Sequence, residues 1–242
     1  MKHLAIVALL LLAPHALTAG PPGPEACPVP TRYITAQQRF GPLKAAIAAQ
    51  KVNILAIGSG ATTGAGGEAD GSFPYRMLTA LRAARPQVAF DLTVRGGRGM
   101  SAEQLLPLLR DALKQGSPAV VLWQTGTVEA VHGMRPDRMR AALRAGLEAV
   151  RSAGGSLVLI NPQYTRAFRA NTDIEPYETE LRRLGTLPGV SLFPRYDLTR
   201  SWVESRQIDP ERAPENARAA VLDRLNTCLG QALAHYLLSG AE

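Results

Sequence analysis

Short, largely apolar runs alternate along the chain with segments whose apolar positions recur at helical spacing. The runs are Val52–Ile57, Ala119–Trp123, Leu157–Ile160 and Val190–Phe193, and Val88–Val94 alternates. Runs this short predict strands covered on both faces. Between them, Pro74–Ala84 reads as a helix that starts at its proline and sets Met77, Leu78 and Leu81 on one face. Ala102–Lys114 aligns Leu105, Leu108, Leu109 and Leu113, with Pro107 expected near the first turn. Arg135–Ala153 is a long amphipathic helix that stops at Gly154-Gly155. Ile174–Leu184 and Leu225–Leu238 complete the set, and the polar, proline-punctuated Gln207–Asn216 reads as a surface loop. Strand and helix in alternation predict an α/β fold, a three-layer α/β/α sandwich around a central parallel sheet of flavodoxin-like type. Ligands of such sheets sit beyond the carboxyl ends of the strands. The loops after Ile57, Val94 and Trp123 are therefore expected to converge on one crevice.

The chain has 242 residues and is 46% hydrophobic, enough for one sizeable core and too much for a disordered polymer. Its beginning changes the picture of where it works. Lys2 precedes an unbroken apolar run from Leu4 to Ala13, and small residues follow at Ala16 and Ala19. That run is too short to span a bilayer and fits a cleaved export signal. The organisation expected is a signal peptide over 1–19, a Pro/Gly-rich segment and first helix over 20–50, and one domain over 51–242. The mature chain then carries no transmembrane segment and is periplasmic or secreted.

In such a compartment Cys27 and Cys228 are candidates for a disulfide tying the mature N-terminus to the last helix, or else remain two separate thiols. His132 and His235 are the histidines left after the leader, and no spacing resembles a metal site. No metal and no cofactor is expected. The net charge of +7 is carried mostly by arginines spaced along helices, as at Arg135, Arg138, Arg140 and Arg144. No basic block with interleaved aromatics appears, so nucleic acid is not an expected partner. A basic surface favours anionic polysaccharide or a membrane surface only as a bias.

The densest chemical signal is Ile54–Gly67, an apolar strand running into a turn of Gly, Ser and Thr. The turn fits a loose dinucleotide-binding pattern, but no acidic residue closes the next strand, which ends at Arg95. No lysine follows the last glycine, which excludes a P-loop.

Ile54–Gly64, VRGGRGMS at 94–101 and WQTGTVEA at 123–130 resemble, in order and spacing, the first three blocks of the SGNH/GDSL hydrolases. NPQYT at 161–165, FPRYDLTRSW at 193–202 and LNTCLGQALA at 225–234 resemble an exported branch of that family. The resemblance implies an SGNH-hydrolase-like fold. It also implies ester chemistry by a serine nucleophile, a histidine base held by an aspartate, and an oxyanion hole. Carried over residue by residue, most of that machinery is replaced. Ser59 stands for the aspartate before the serine, and Gly60 for the serine itself. Gly99 keeps the oxyanion glycine. Val128, followed by Glu129, stands for the oxyanion asparagine. Ala217 and Ala220 fall where the aspartate and histidine belong; another register offers Asp209 and Arg212.

Two readings remain open. In one, the crevice, with Thr62, Gln124, Thr127 and Glu129 as further binding candidates, holds a carbohydrate or acylated envelope component without cleaving it, or the protein partners an envelope enzyme. In the other, Ser59 acts with His132 or a carboxylate as an ester hydrolase or acyltransferase.

Overall fold

All five runs form strands, and each pairs in parallel with its neighbour. The computed structural model describes residues 27, 29–64 and 69–242; the leader expected over 1–19 and the Pro/Gly stretch before Cys27 lie outside the described residues. The strands are β1 (Lys51–Gly58), β2 (Ala89–Gly96), β3 (Val120–Gln124), β4 (Ser156–Ile160) and β5 (Val190–Phe193). They make one sheet in the order β2-β1-β3-β4-β5. One row of the register runs Val94, Ala56, Leu122, Val158, Ser191. The order reverses about β1, which places a switch point at that strand's carboxyl end.

The helices are α1 (Gly41–Ala48), α2 (Gly60–Thr63), α3 (Phe73–Ala84), α4 (Ala102–Gln115), α5 (Thr127–Val131), α6 (Pro136–Ser152), α7 (Arg166–Asn171), α8 (Glu175–Gly185), α9 (Arg195–Glu204) and α10 (Glu215–Ala241). Because successive strand side chains point to opposite faces, the sheet feeds two cores. Val52, Ile54, Ala56, Leu122, Val158 and Phe193 pack with α1, α3, α9 and α10 through Phe40, Leu43, Met77, Leu81, Trp202, Leu229 and Leu233. Leu55, Ile57, Val121, Trp123, Leu157 and Leu159 pack with α4, α6 and α8 through Leu105, Leu109, Leu143, Leu147 and Leu181. A fully buried side chain of this size contributes about 1.5–3 kcal/mol, so the two layers dominate the stability. Among the described residues no helix is long and apolar enough to cross a membrane.

Two elements depart from the pattern reading. The last helix begins at Glu215, ten residues before Leu225, and takes up the end of the segment read as a loop. Its opening residues, from Glu215 through Ala220, lie mostly exposed, beyond the cores, so no apolar period marks them. An Ala- and Arg-rich composition carries that turn by propensity. Pro107 is the sixth residue of α4, deeper than the first turn. It withholds the N–H that would have bonded the Glu103 carbonyl, and the helix continues on the packing of Leu105 and Leu109.

At the opposite edge of the first core, Cys27 is joined to Cys228 of α10, with Cα atoms 5.3 Å apart.

Candidate functional site

The carboxyl ends of all five strands open onto one cleft of about 460 Å³. The loop after β1 supplies Ser59, Gly60 and Ala61; that after β2 supplies Arg98 and Gly99. Gln124 and Thr127 come from the end of β3 and the start of α5; Gln163, Thr165 and Phe168 follow β4; Arg195 follows β5. The sequence pointed to three of these loops. The contributions after β4 and β5 obey the same topological rule and were missed.

Gln124 organises the floor. Its Oε1 accepts from the Ser59 N–H, the Ser59 hydroxyl and the Thr62 hydroxyl, each at 3.2 Å. A backbone N–H can only donate, so this bond fixes the amide with its oxygen toward Ser59. The Gln124 Nε2 has no hydrogen-bond partner among the described residues. Ser59 precedes the single helical turn of α2, whose N–H groups at Thr62 and Thr63 bond its carbonyl rather than its hydroxyl. Gly60 opens that turn and presents no side chain at the cleft.

The other expected residues are separated from this floor. His132 is the exposed C-cap of α5, and its Nδ1–H donates to the Val128 carbonyl at 2.9 Å. His132 and Val128 line a neighbouring cleft, which shares Gly99 with the first but not Ser59. No hydrogen bond links His132 to Ser59.

Glu129 is 2% exposed and does not line the cleft of Ser59. Its carboxylate accepts from the Ala102 N–H at 2.5 Å, the Thr125 hydroxyl at 3.0 Å and the Gly126 N–H at 2.9 Å. It thus clamps the first turn of α4 to the end of β3, a favourable place for a negative charge. Ala217 and Ala220 lie on α10. Asp209 is bonded to Arg166 and stands near Arg212, and the Arg166 guanidinium holds its carboxyl below the usual range.

Arg195 is the residue the chemistry of the sequence did not flag. It is 2% exposed and begins α9. One Nη donates to Gln163 Oε1 at 2.6 Å, and the guanidinium lies 5.2 Å from the centre of the Phe73 ring. Its Nε has no partner. Burial pulls its pKa down to about 10, so it remains a cation at neutral pH. The first turn of α9 is held by Asn161 at the end of β4. Asn161 accepts from the Tyr196 N–H and donates to Glu178 Oε2, both at 2.9 Å.

Burial raises the Glu178 carboxyl to about 7, against the opposing pull of Asn161 and Arg182. A carboxyl raised in the folded state contributes stability that is complete below about 4.5. That contribution is lost as pH climbs through 7. Glu178→Gln is therefore expected to match the wild type at pH 4.5 and to exceed it by about 3 kcal/mol at pH 8.5. Urea midpoints at the two pH values check this; a constant offset between the two proteins would refute it.

The five-stranded parallel sheet between helical layers, with its cleft at the strands' carboxyl ends, is an α/β fold that matches those of SGNH hydrolases. The model of the Non-GDSL lipase-like family matches residues 26–242, and the chain belongs to that family. No curated protein matches it. Among solved structures it is similar to LAE5, an alpha/beta hydrolase enzyme from the metagenome of Lake Arreo, Spain. That match has a TM-score of 0.59 and 17% identity, covering 78% of this chain and 94% of the other. A variant of Axe2, an acetyl-xylooligosaccharide esterase from Geobacillus Stearmophilus, matches with TM-score 0.57 and 16% identity over 72% and 91%. AlinE4, an SGNH-hydrolase family esterase, matches with TM-score 0.53 and 17% identity over 68% and 84%. At these identities the likeness is one of fold.

Proposed function

We propose that this is an exported, periplasmic or secreted protein that holds a carbohydrate or acylated envelope component in the strand-end cleft without cleaving it. The observation that carries this reading is the state of Ser59. Its hydroxyl is committed to Gln124 Oε1, and no histidine, aspartate or glutamate is among the described residues lining its cleft. A serine without a base to take its proton is a poor nucleophile. Loss of the nucleophile or its base costs about a million-fold in a serine protease, a scale that leaves no useful ester turnover. The amides and hydroxyls of Gln124, Thr127, Gln163 and Thr165 suit a polar ligand, and the cleft is of small-molecule size.

The test is a short-chain chromogenic ester offered to the mature wild type and to Ser59→Ala. Both are expected to match the buffer blank. Turnover in the wild type that vanishes in Ser59→Ala would overturn the reading. Gly60→Ser is expected to stay inactive as well, because no histidine or carboxylate is among the described residues lining the cleft.

A further inference from the structure

Arg195 presents an electrostatic problem that the described residues do not solve. A guanidinium removed from water is strongly unfavourable unless it is paired. Nearby Arg166 shows the usual solution, with Asp209 and Glu211 both bonded to it. Among the described residues Arg195 has no such partner: its hydrogen bond is to the neutral Gln163, and its buried Nε has none. It nevertheless lines the cleft. Arg98, across the same cleft, is exposed and likewise has no carboxylate partner among the described residues. Gly99, beside Arg98 in the same lining, turns through φ +74°. None of the described residues lining the cleft is acidic.

We infer that the cleft recognises the acidic group of an anionic saccharide, with Arg195 as the buried anchor and Arg98 as the second cationic arm. This rests on the binding role proposed above and narrows its ligand. The acidic group is an oxyanion, either the carboxylate of a uronic acid or the phosphate of a phosphorylated sugar. A guanidinium offers either one two parallel N–H donors. The ligand's charge then supplies the compensation that the folded protein lacks. Gln124 Nε2 and the Thr165 hydroxyl are placed to meet sugar hydroxyls, while Phe168 gives the wall one apolar surface for a ring. A cleft with a few polar groups and one aromatic wall fits a ligand of one or two rings.

The experiment is calorimetric titration of the mature protein with trigalacturonate, glucose 6-phosphate, inorganic phosphate and neutral maltotriose. Wild type, Arg98→Ala and Arg195→Met are compared. Trigalacturonate or glucose 6-phosphate is expected to bind the wild type, and which of them does so assigns the acidic group. Maltotriose is expected to bind on the order of a hundredfold more weakly, and Arg195→Met to weaken the acidic probe by the same order. Arg98→Ala, on the exposed rim, is expected to cost about tenfold and to flatten the dependence on salt. Arg195→Met is also expected to keep or raise the melting temperature, because it removes an unpaired buried charge. A merely structural arginine would lower it.

Equal affinity for maltotriose would overturn the inference and leave the binding role standing. Binding of inorganic phosphate with neither acidic sugar would overturn the saccharide assignment, as would no binding of any probe. Ester turnover without saccharide binding would overturn both readings. If Arg195→Met fails to fold, unchanged binding in Arg98→Ala is enough to refute the two-arginine site.

Discussion

Gly96→Ala is expected to cost about 4 kcal/mol or more, a large fraction of the stability of a typical domain. Gly58 and Gly96 are register partners at the ends of β1 and β2. A Cβ on Gly96 would lie 1.8 Å from the Gly58 carbonyl oxygen, and its φ of +131° is one that L side chains rarely adopt. The obstructing atom is backbone, so relief requires β1 and β2 to separate at the point where the Ser59 turn leaves the sheet. Gly58 has no room to retreat, since its own Cβ position lies 2.3 Å from Thr62 Oγ1. Gly99→Ala is the matched control. It has φ +74° but nothing within 4 Å of the added carbon, so the expected cost is about 1–2 kcal/mol. Urea unfolding followed by far-UV circular dichroism separates the two; similar midpoints would show that the strand ends can part cheaply.

Cys27→Ser is expected to destabilise the protein by about 3–5 kcal/mol under oxidising conditions. The bond between Cys27 and Cys228 spans 201 residues of sequence, and a loop that long restricts the unfolded chain heavily. Cys228 lies in the first core beside Leu225 and Leu229, so the replacement is made at the less buried Cys27. Reductant should lower the wild-type midpoint by a similar amount and leave Cys27→Ser unchanged. Thiol titration of unfolded, unreduced wild type should find no free thiol. Two free thiols, with equal midpoints for both proteins, would refute this expectation.

The sheet was legible because a buried parallel strand leaves a local mark: Ala119–Trp123 and Leu157–Ile160 are apolar at nearly every position. The ends of helices were less so. Glu215 to Ala220 reaches past the core, and without burial there is no period to read. At the site, the lack of a side chain at Gly60 could be read directly. The meaning of Gln124 could not, because it depends on three donors brought to one oxygen from the β1 loop. Arg195 was hidden for a related reason. In the sequence it is one arginine among many, and its distinction is that none of the described residues sets a carboxylate against it after folding. The available signal was positional: it follows β5 directly, at a strand end where this fold places ligands. Glu129 was misjudged in the opposite sense, since its donors on α4 and its own turn could be identified only once β3 and α4 were set side by side.

The covalent tie between Cys27 and Cys228 also sets an order of events. A chain made from its N-terminus presents Cys27 about 200 residues before its partner, which at about 5–20 residues per second is roughly 10–40 s. Through that interval the sheet strands emerge one after another while Cys27 waits as a thiol. The bond can close only once Cys228 has been made, after all five strands of the sheet. A disulfide oxidant that acts sooner meets a lone cysteine and forms a mixed disulfide, which the Cys228 thiolate can later resolve by displacing the oxidant's thiol.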